Sequence, residues 1–328
     1  MTLVRSVAVT FEPLHGMRRP IDETLADLAT VRYLAGVGDG ERAAALAGAD
    51  AVLAWGVGAE LTSDELARLG AGLLQLVSAG VNHVPFELLP DGVAIAANGG
   101  GWAQPMAEHV LAMALALAKR LPQNHALLAR GIFDQRTPNR QLDGAVVAIL
   151  GYGGIGRASA RLFRALGARI HAVTRSGTPE ADVERVATLA ELDDVLPGAD
   201  VLVVALPLNA VTRGLIGRRE LTLMKRDAIL INVARAQIVE EDALYEHLRR
   251  TPTFSAALDV WWQEPHAFGS FATRRRFFEL PNVLGSPHVS ANTAGSPAGA
   301  ARHAAENVAR YLRGEPVLHL VDRAEYQG

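Results

Sequence analysis

An arginine, a glutamate and a histidine stand in three separate segments that each begin at or just after a predicted strand. Arg235 lies in NVARAQIVEEDAL, Glu264 in ALDVWWQEP and His288 in LGSPHVSANTAG. In open α/β sheets, residues at the carboxyl ends of neighbouring strands meet where ligands bind. The sequence therefore predicts that these three side chains share one site.

The three residue types suit the reduction of a ketone that lies next to a carboxylate. Arg235 can bind the carboxylate through two hydrogen bonds while it polarises the neighbouring carbonyl. A histidine, whose ordinary pKa is about 6.5, can give a proton to the ketone oxygen and remove it in reverse. A carboxylate against the ring favours the imidazolium and fixes its orientation, the role predicted for Glu264. Taken singly, such residues are more often surface or loop residues, so the prediction depends on the ordered set.

The other histidines compete poorly for this role. His266 follows Glu264 too closely for a pair formed from two strand ends, and His83, His109 and His303 lie on a predicted loop or helices without a comparable context. No HExxH or similar spacing is present, so no metal site is predicted.

A glycine-rich turn with the spacing G-x-G-x-x-G occurs earlier in the chain, as GYGGIG at residues 151–156. A predicted strand precedes it and a predicted helix follows. Gly151 permits the tight turn, Gly153 lets the backbone approach a pyrophosphate, and Gly156 lets helix and strand pack closely. The amides of Gly154 and Ile155 then point at the anion from the helix N-terminus. A dinucleotide site is predicted; a structural turn or a site for another nucleotide such as S-adenosylmethionine is the alternative.

The next predicted strand indicates which dinucleotide is bound. An NAD enzyme usually carries an acidic residue about 20 residues past the glycines, to bind the ribose 2′-hydroxyl. Here Thr174, Arg175 and Ser176 occupy that place. Arg175 offers a planar fork for a 2′-phosphate, and the two hydroxyls can add hydrogen bonds. NADP(H) is therefore favoured over NAD(H); the alternative is an ordinary exposed arginine on a loop.

Short apolar runs separated by amphipathic helices position these residues, and they predict β-α-β units and parallel sheets. The first part of the chain has predicted strands SVAVTF, ADAVLAW, LLQLVSAG and GVAIAAN, with helical stretches IDETLADLATVRYL and SDELARLG. A second series, AVVAIL, ARIHAVT, ADVLVVALP, AILINVA, FSAALDV and NVLGSP, indicates a doubly wound nucleotide-binding unit. A long helix from about Ala103 to Leu121, ended by Pro122, precedes this series, and another from about 294 to 313 follows it.

The 328 residues suggest two domains rather than one. The two long helices flank the second series, so the tail can return to the first domain. We predict an α/β protein with two Rossmann-like domains. A doubly wound dinucleotide-binding domain, residues 102–285, is inserted into a discontinuous, flavodoxin-like substrate and catalytic domain formed by residues 1–101 and 286–328.

Composition excludes several other classes of protein. The hydrophobic fraction of 49% and charged fraction of 20% are ordinary for a soluble enzyme, and the net charge of −3 supplies no basic field for nucleic acid. The absence of cysteine excludes disulfides, thiolate nucleophiles and cysteine-held metal, and it fits a cytoplasmic location. The sequence contains no uninterrupted apolar stretch of about 18 residues, so no membrane span is predicted.

In these motifs the chain resembles the D-isomer-specific 2-hydroxyacid dehydrogenase family, which includes glyoxylate and hydroxypyruvate reductases. The resemblance extends from SAGVNHVP at 78–85 through the tail, with the glycine turn and the three later motifs in the family's order. It implies a two-domain α/β fold, a homodimer, and a catalytic set that falls on Arg235, Glu264 and His288. Ala234 and Ala236 stand where the family commonly has glycine beside the arginine; alanine should be tolerated there if φ is negative.

The resemblance also implies that backbone amides of the loop at Ala79, Gly80 and Val81 hold the carboxylate of the substrate. Trp55 follows a predicted strand and is a further candidate for substrate contact, although core or interface packing is equally expected of a tryptophan. Further positions assigned to the cofactor site lie in or after the predicted strands of the second series: Pro207, Thr212, Val233, Ala234 and Asp259.

The leading hypothesis is an NAD(P)-dependent oxidoreductase that reduces a small 2-oxo acid to the D-2-hydroxy acid and catalyses the reverse reaction, with NADPH preferred. Glyoxylate, hydroxypyruvate, pyruvate and a phenylpyruvate-like acid would all satisfy Arg235 and His288. A second hypothesis is a dinucleotide-sensing interaction protein, like the family's corepressors. A methyltransferase or other Rossmann enzyme would leave the three later motifs without a shared purpose.

Overall fold

Two separate parallel β-sheets organise the chain, which the computed structural model describes for residues 5–178 and 180–326. They belong to two compact units: unit 1 comprises the chain up to Trp102 together with the chain from Asn292 onward, and unit 2 is Ala103–Ala291. The predicted fold class, α/β with two parallel-sheet domains, is confirmed.

Unit 1 contains a five-stranded sheet with the order β2-β1-β3-β4-β5, which is the flavodoxin-like order. Every strand pair is parallel. The strands β3 and β4 are buried along their whole length, as expected of a parallel sheet covered on both faces. The strands are β1 Ser6–Val9, β2 Thr30–Tyr33, β3 Ala51–Ala54, β4 Leu73–Leu76 and β5 Ala94–Ala96, and the helices between them are α1 Arg18–Leu25, α2 Asp39–Ala47, α3 Val57–Glu60 and α4 Ser63–Ala67.

Unit 2 contains a seven-stranded parallel sheet with the order β12-β11-β10-β9-β6-β7-β8. The strand order reverses direction between β6 and β9, which is the switch point where doubly wound sheets bind nucleotides. Its strands are β6 Val146–Leu150, β7 Arg169–Val173, β8 Arg185–Ala187, β9 Val201–Val204, β10 Ile229–Asn232, β11 Ser255–Leu258 and β12 Val283–Gly285. Its α-helices are α5 Ala103–Ala118, α6 Leu121–Ala129, α7 Gly154–Ala165, α8 Leu192–Val195, α9 Arg218–Leu223, α10 Glu241–Arg250 and α11 Pro265–Phe268.

The terminal helix, α12 Ser296–Arg313, returns to unit 1 and packs against α1, β3 and β4. Its alanine-rich face, including Ala300, Ala304 and Val308, is fully buried. Helix α5 packs on α7, β10 and β11 within unit 2. Each fully buried leucine or valine of these cores stabilises the fold by about 1.5–3 kcal/mol. Short 3₁₀ helices lie at Phe86–Leu88, Leu189–Glu191, Leu196–Gly198, Ala236–Ile238, Phe277–Glu279 and Arg323–Glu325.

Three elements differ from those predicted. The stretch IDETLADLATVRYL is not one helix. Helix α1 ends at Leu25, and the end of the stretch forms the strand β2. The edge strand β8 was not predicted, since its three residues carry a weak apolar pattern. Pro122 does not end a helix but stands in the first turn of α6, where its missing amide hydrogen costs nothing. The preceding helix ends earlier, at Ala118.

The second junction between the units lies at residues 291 and 292, six residues later than the predicted boundary at 285. His288 therefore belongs to unit 2, whereas the sequence interpretation placed it in the other domain. The reason is a set of hydrogen bonds from Ser286, Val289 and Ser290 to the carboxylate of Asp259, which tie this segment to the seven-stranded sheet. Among the described residues, no helix is long and apolar enough to cross a membrane.

Candidate active site

The glycine turn joins β6 to α7 beside the switch point. Gly151 has φ of +93°, and a Cβ there would lie 2.6 Å from the carbonyl oxygen of Ala205. A Cβ on Gly156 would lie 2.1 Å from the carbonyl oxygen of Gly151. A Cβ on Gly153, in contrast, would meet nothing within 4 Å, so this side of the turn is open. Two glycines are thus required by the protein itself, and one faces space that a ligand can use.

The first turn of α7 is suited to an anion. Gly153 occupies the N-cap position, and none of the described side chains makes a capping hydrogen bond there. The amides of Gly154 and Ile155 belong to the group of amides that have no partner within a helix, at the positive end of the helix dipole. This arrangement fits the pyrophosphate of a dinucleotide.

The turn after β7 contains Thr174, Arg175 and Ser176. The Thr174 hydroxyl accepts a hydrogen bond from the amide of Gly177 at 3.0 Å, while Arg175 is exposed. The Ser176 hydroxyl accepts from the amide of Thr178 at 3.2 Å. No carboxylate occurs between residues 174 and 178, so the turn presents hydroxyls and a guanidinium.

The next acidic residue after this turn is already neutralised by a partner. Arg157 on α7 donates to Glu180 at 2.6 Å and also lies 5.0 Å from the centre of the Tyr152 ring. The hydrogen bond from Arg157 holds the pKa of the Glu180 carboxyl below its usual range. An anion at the turn would therefore meet an ion pair rather than an isolated negative charge.

The loop after β9 is closed by Thr212, one of the predicted cofactor residues. Its hydroxyl donates to the carbonyl oxygen of Pro207 at 2.7 Å and accepts from the amide of Asn209 at 2.9 Å. Thr212 is only 4% exposed, whereas Pro207 is exposed. Thr212 thus shapes the loop from within, while Pro207 is accessible to solvent.

Arg235 follows β10 in a turn that an asparagine side chain closes. Asn232 accepts from the amide of Ala234 at 3.0 Å and donates to the carbonyl oxygen of Arg235 at 3.0 Å. Arg235 is extended, with φ of −142°, and neither Ala234 nor Ala236 lies at positive φ. The departure from the family's glycines is therefore tolerated, as predicted. Val233, the other cofactor candidate here, is 1% exposed.

His288 and Glu264 are in direct contact. Nδ1 of His288 lies 2.8 Å from Oε2 of Glu264, and Oε1 of Glu264 accepts the amide hydrogen of Trp261 at 2.7 Å. Because a carboxylate only accepts, Nδ1 carries a hydrogen, and Nε2 is the ring atom at which His288 would give or take a proton. The Glu264 side chain is 10% exposed and that of His288 is 37% exposed. The predicted pair is thus formed by a shielded carboxylate and an accessible imidazole.

The segment that carries His288 is held by Asp259, which is fully buried. Its carboxylate accepts from the Ser286 hydroxyl at 2.5 Å, from the amide of Val289 at 3.0 Å and from that of Ser290 at 2.9 Å. Its carbonyl oxygen accepts the amide hydrogen of His288 at 2.7 Å. His288 has φ of +55°, a conformation that a non-glycine residue keeps only where its surroundings impose it. Asp259 thus fixes the backbone of His288; its direct contact with a cofactor stays a prediction.

Sequence reasoning missed His109, which it set aside with the other histidines. Nε2 of His109, on α5, lies 3.0 Å from Oγ of Ser286 and 3.8 Å from Oδ1 of Asp259. The sequence signal at His109 is a polar residue followed by the apolar stretch of α5, which indicates a buried helix face but not the partner of the histidine. Ser286, two residues before His288, was missed because its sequence context does not indicate its partners either.

The predicted substrate residues lie in unit 1. Trp55 follows β3, is partly exposed, and packs edge-on against Phe11 with ring centres 6.0 Å apart. Ala79 and Gly80 are partly exposed after β4, while Val81 is 3% exposed. The Ser78 hydroxyl donates to the carbonyl oxygen of Gly80 at 3.0 Å and so tightens this loop. Both segments follow the carboxyl ends of strands, as expected for ligand-binding loops.

Comparisons with known proteins agree with this geometry. The family model of the D-isomer specific 2-hydroxyacid dehydrogenase NAD binding domain matches residues 111–290, more than half of the chain. The chain therefore belongs to the D-isomer specific 2-hydroxyacid dehydrogenase family. A glyoxylate reductase from Thermococcus gammatolerans is 37% identical over 180 residues, which make up 55% of this chain and 52% of that protein. The matched region spans about half the length of the curated relatives that it matches first.

Solved structures resemble the chain over nearly its whole length. A candidate formate dehydrogenase from Pyrobaculum aerophilum is 31% identical, with a TM-score of 0.81 and coverage of 98% of this chain and 99% of that one. A D-isomer specific 2-hydroxyacid dehydrogenase from Xanthobacter autotrophicus Py2, solved with NADPH and MES, is 28% identical with a TM-score of 0.80. It covers 98% of this chain and 100% of that one. An NAD(P)-binding, Rossmann-type unit within a two-domain 2-hydroxyacid dehydrogenase fold is thereby established.

Proposed function

We propose that this protein is an oxidoreductase that reduces a small 2-oxo acid to the D-2-hydroxy acid, and catalyses the reverse reaction, with NADPH preferred. The observation that carries the proposal is the 2.8 Å pair of His288 and Glu264, which follows β12 and β11. Arg235 follows the neighbouring strand β10 at the same edge of the sheet. The carboxyl edge of this sheet would thus carry the proton donor, the orienting carboxylate and the anion-binding guanidinium.

Each of these residues has a separate role in the reaction. Arg235 binds the carboxylate of the acid and polarises the adjacent carbonyl. His288 gives a proton from Nε2 to the ketone oxygen during reduction and takes it back during oxidation. Glu264 holds the ring through Nδ1 and stabilises the imidazolium form that reduction consumes. When bound, the nicotinamide supplies or accepts the hydride at C2.

The residues present fit a dinucleotide. The open side of Gly153 and the first-turn amides of Gly154 and Ile155 would hold the pyrophosphate. The proposed preference for NADPH is supported by the carboxylate-free turn after β7, where Arg175 is exposed. The Xanthobacter protein was solved with NADPH, but the proposal for this chain is carried by residues 174–176.

The substrate class is proposed from the same family pattern. Backbone amides at Ala79, Gly80 and Val81 would bind the carboxylate of the acid, and Trp55 would contact its side chain. Glyoxylate is a reasonable first substrate because the Thermococcus gammatolerans relative is named for it. Hydroxypyruvate, pyruvate and phenylpyruvate present the same carboxylate and ketone.

We also propose a homodimer. Leu121, Leu128 and Phe133, on and after α6, are 58%, 56% and 75% exposed. Large apolar side chains clustered on one surface segment often mark a protein interface. Light scattering after size exclusion would give twice the chain mass of 34.9 kDa if this is right. The cytoplasmic location stays a prediction.

The decisive experiment follows the absorbance of NADPH, and separately of NADH, with glyoxylate, hydroxypyruvate, pyruvate and phenylpyruvate. We expect oxidation of NADPH ahead of NADH. His288→Asn should lower kcat by about 10³-fold, because asparagine tolerates positive φ but cannot transfer the proton. Arg226→Ala, at an exposed arginine before β10 on the opposite edge of the sheet, is the control and should keep the wild-type rate.

Two results would contradict the proposal in different ways. Faster turnover with NADH would remove the cofactor preference and leave the chemistry. Tight dinucleotide binding without turnover of any of the four acids would instead support the sensing protein, because such a protein uses the same glycine turn without needing proton transfer.

A further inference from the structure

Three side chains of unit 2, those of His109, Ser286 and Asp259, form a chain of hydrogen bonds that ends at the segment carrying His288. The Ser286 hydroxyl donates to Oδ1 of Asp259 at 2.5 Å, so its oxygen is left to accept a hydrogen bond. Nε2 of His109 lies 3.0 Å from that oxygen and is therefore the donor. The indole nitrogen of Trp261 donates to the carbonyl oxygen of Ser286 at 2.9 Å, which fixes this residue from a second side.

The end of this chain is a carboxylate that has no exposure to solvent. A buried carboxylate is tolerated only while its lone pairs receive hydrogen bonds. When one donor is weakened, the carboxylate moves to strengthen its hydrogen bonds with the others. The other donors to Asp259 are the amides of Val289 and Ser290, directly after His288. The orientation of the Ser286 hydroxyl therefore affects the backbone that carries the proton donor.

We propose that His109 is a positioning residue for His288. By donating to Ser286, His109 keeps the serine hydroxyl directed at Asp259, and Asp259 holds the backbone on both sides of His288 in its left-handed conformation. The inference rests on the proposed proton transfer at His288. A displacement of a reacting group by about 1 Å can cost up to about 10²-fold in rate, so a residue two contacts away can affect turnover.

The first test compares two substitutions of His109 with the control Arg226→Ala, at an exposed residue on the opposite edge of the sheet. His109→Leu removes the donor and should lower kcat for reduction about tenfold, with the KM for NADPH within twofold of wild type. His109→Gln places an amide donor near the position of Nε2 and should restore kcat to within about threefold of wild type. Equal losses in the two variants, or none in either, would overturn the proposal, because a donor would then be irrelevant.

A double-mutant cycle tests whether His109 acts through Ser286. Ser286→Ala alone should lower kcat by a similar factor, and adding His109→Leu should cause at most a further twofold loss, because the chain is already broken. If the two losses multiply, His109 acts by another route and the proposal fails.

A third measurement does not require turnover. In a nitrogen-15 NMR spectrum, the amide signals of Val289 and Ser290 should move in His109→Leu and return towards their wild-type positions in His109→Gln. If the wild-type protein turns over none of the acids, the proposed function fails, but these signals still decide whether His109 positions the segment. Unchanged amide signals in His109→Leu would overturn the positioning role.

Discussion

Two segments at the carboxyl edge of the seven-stranded sheet are built in opposite ways. Residues 286–290, after β12, are fixed by a fully buried carboxylate that receives three hydrogen bonds, and His288 is held there at positive φ. Residues 174–178, after β7, are joined to β8 by a backbone hydrogen bond from Thr174 to Ala187 and otherwise bond among their own hydroxyls and amides, and Arg175 is exposed. The first segment is held by a buried side chain of the sheet, whereas the second is held largely by hydrogen bonds among its own residues.

The difference corresponds to the chemistry proposed for each segment. Proton transfer requires a donor placed within a few tenths of an ångström of its acceptor, so a strained but fully supported backbone is suitable. Binding a phosphate through a guanidinium tolerates more movement, because charge attraction falls off slowly with distance and the fork can adapt. A change in the first segment should therefore affect both stability and turnover, and a change in the second only cofactor choice.

Among the changes that test this contrast between the two segments, the largest effect is expected from Asp259→Asn. The amide group would face either the Ser290 amide or the Ser286 and Val289 donors, so at least one buried donor would lose its acceptor. We expect a loss of about 2–4 kcal/mol in the free energy of unfolding and a fall in kcat of about 10²-fold. Denaturant titration and steady-state kinetics measure the two quantities.

Asp134→Asn is the matched control for that change. Asp134 also accepts two backbone amides, from Arg136 and Thr137 at 2.9 and 3.1 Å, but in a solvent-exposed turn. It should leave kcat unchanged. If Asp259→Asn lowered kcat and the free energy of unfolding no more than Asp134→Asn does, the buried carboxylate would not be what holds residues 286–290, and the contrast with residues 174–178 would be wrong.

An intermediate effect, confined to cofactor choice, is expected from Arg175→Ala. The KM for NADPH should rise about tenfold, because one charged contact to the 2′-phosphate is lost, while the KM for NADH stays within twofold. Arg226→Ala removes an exposed arginine at the amino end of β10, the opposite edge of the sheet, and should change neither. A parallel rise in both KM values for Arg175→Ala would mean that the turn binds something common to the two cofactors.

The parts of the molecule that were predictable from sequence are those encoded by local pattern. The glycine turn, the strands that precede Arg235 and His288, and the apolar helix α5 are each marked by a periodicity or a spacing. The edge strand β8 is too short and too weakly apolar to be recognised, and β2 follows α1 too closely to separate the two elements.

The candidate site was predictable in its members and not in its support. Glu264 and His288 could be paired from their positions after adjacent strands. The contact of His109 with Ser286 joins residues 177 positions apart in sequence. No spacing pattern predicts a contact between a residue within one helix and a residue that follows a strand so distant in sequence. The hydrogen bonds that impose positive φ on His288 are equally non-local.

The smallest expected effect concerns a third turn, NGGG at residues 98–101 in unit 1, which neutral histidines support. His303 donates from Nδ1 to the side-chain oxygen of Asn98 at 2.6 Å, and its ring lies 6.0 Å from that of His319. Burial lowers the pKa of His303, and burial together with the nearby His303 lowers the pKa of His319. Glu306 acts against the shift at His303 but does not cancel it.

These shifts predict how stability depends on pH. Because the folded pKa of each histidine lies below its unfolded value of about 6.5, the unfolded chain binds protons more readily, and stability falls as the pH drops from 7 towards 5. His303→Asn keeps a donor near Nδ1 but cannot titrate. Its unfolding temperature should therefore fall about 1–3 °C less than that of the wild type across this range. Part of the slope must remain, since burial also lowers the pKa values of His171 and His247 in unit 2. If the unfolding temperature of His303→Asn depended on pH as steeply as that of the wild type, the titration of His303 would not contribute to the stability of this turn.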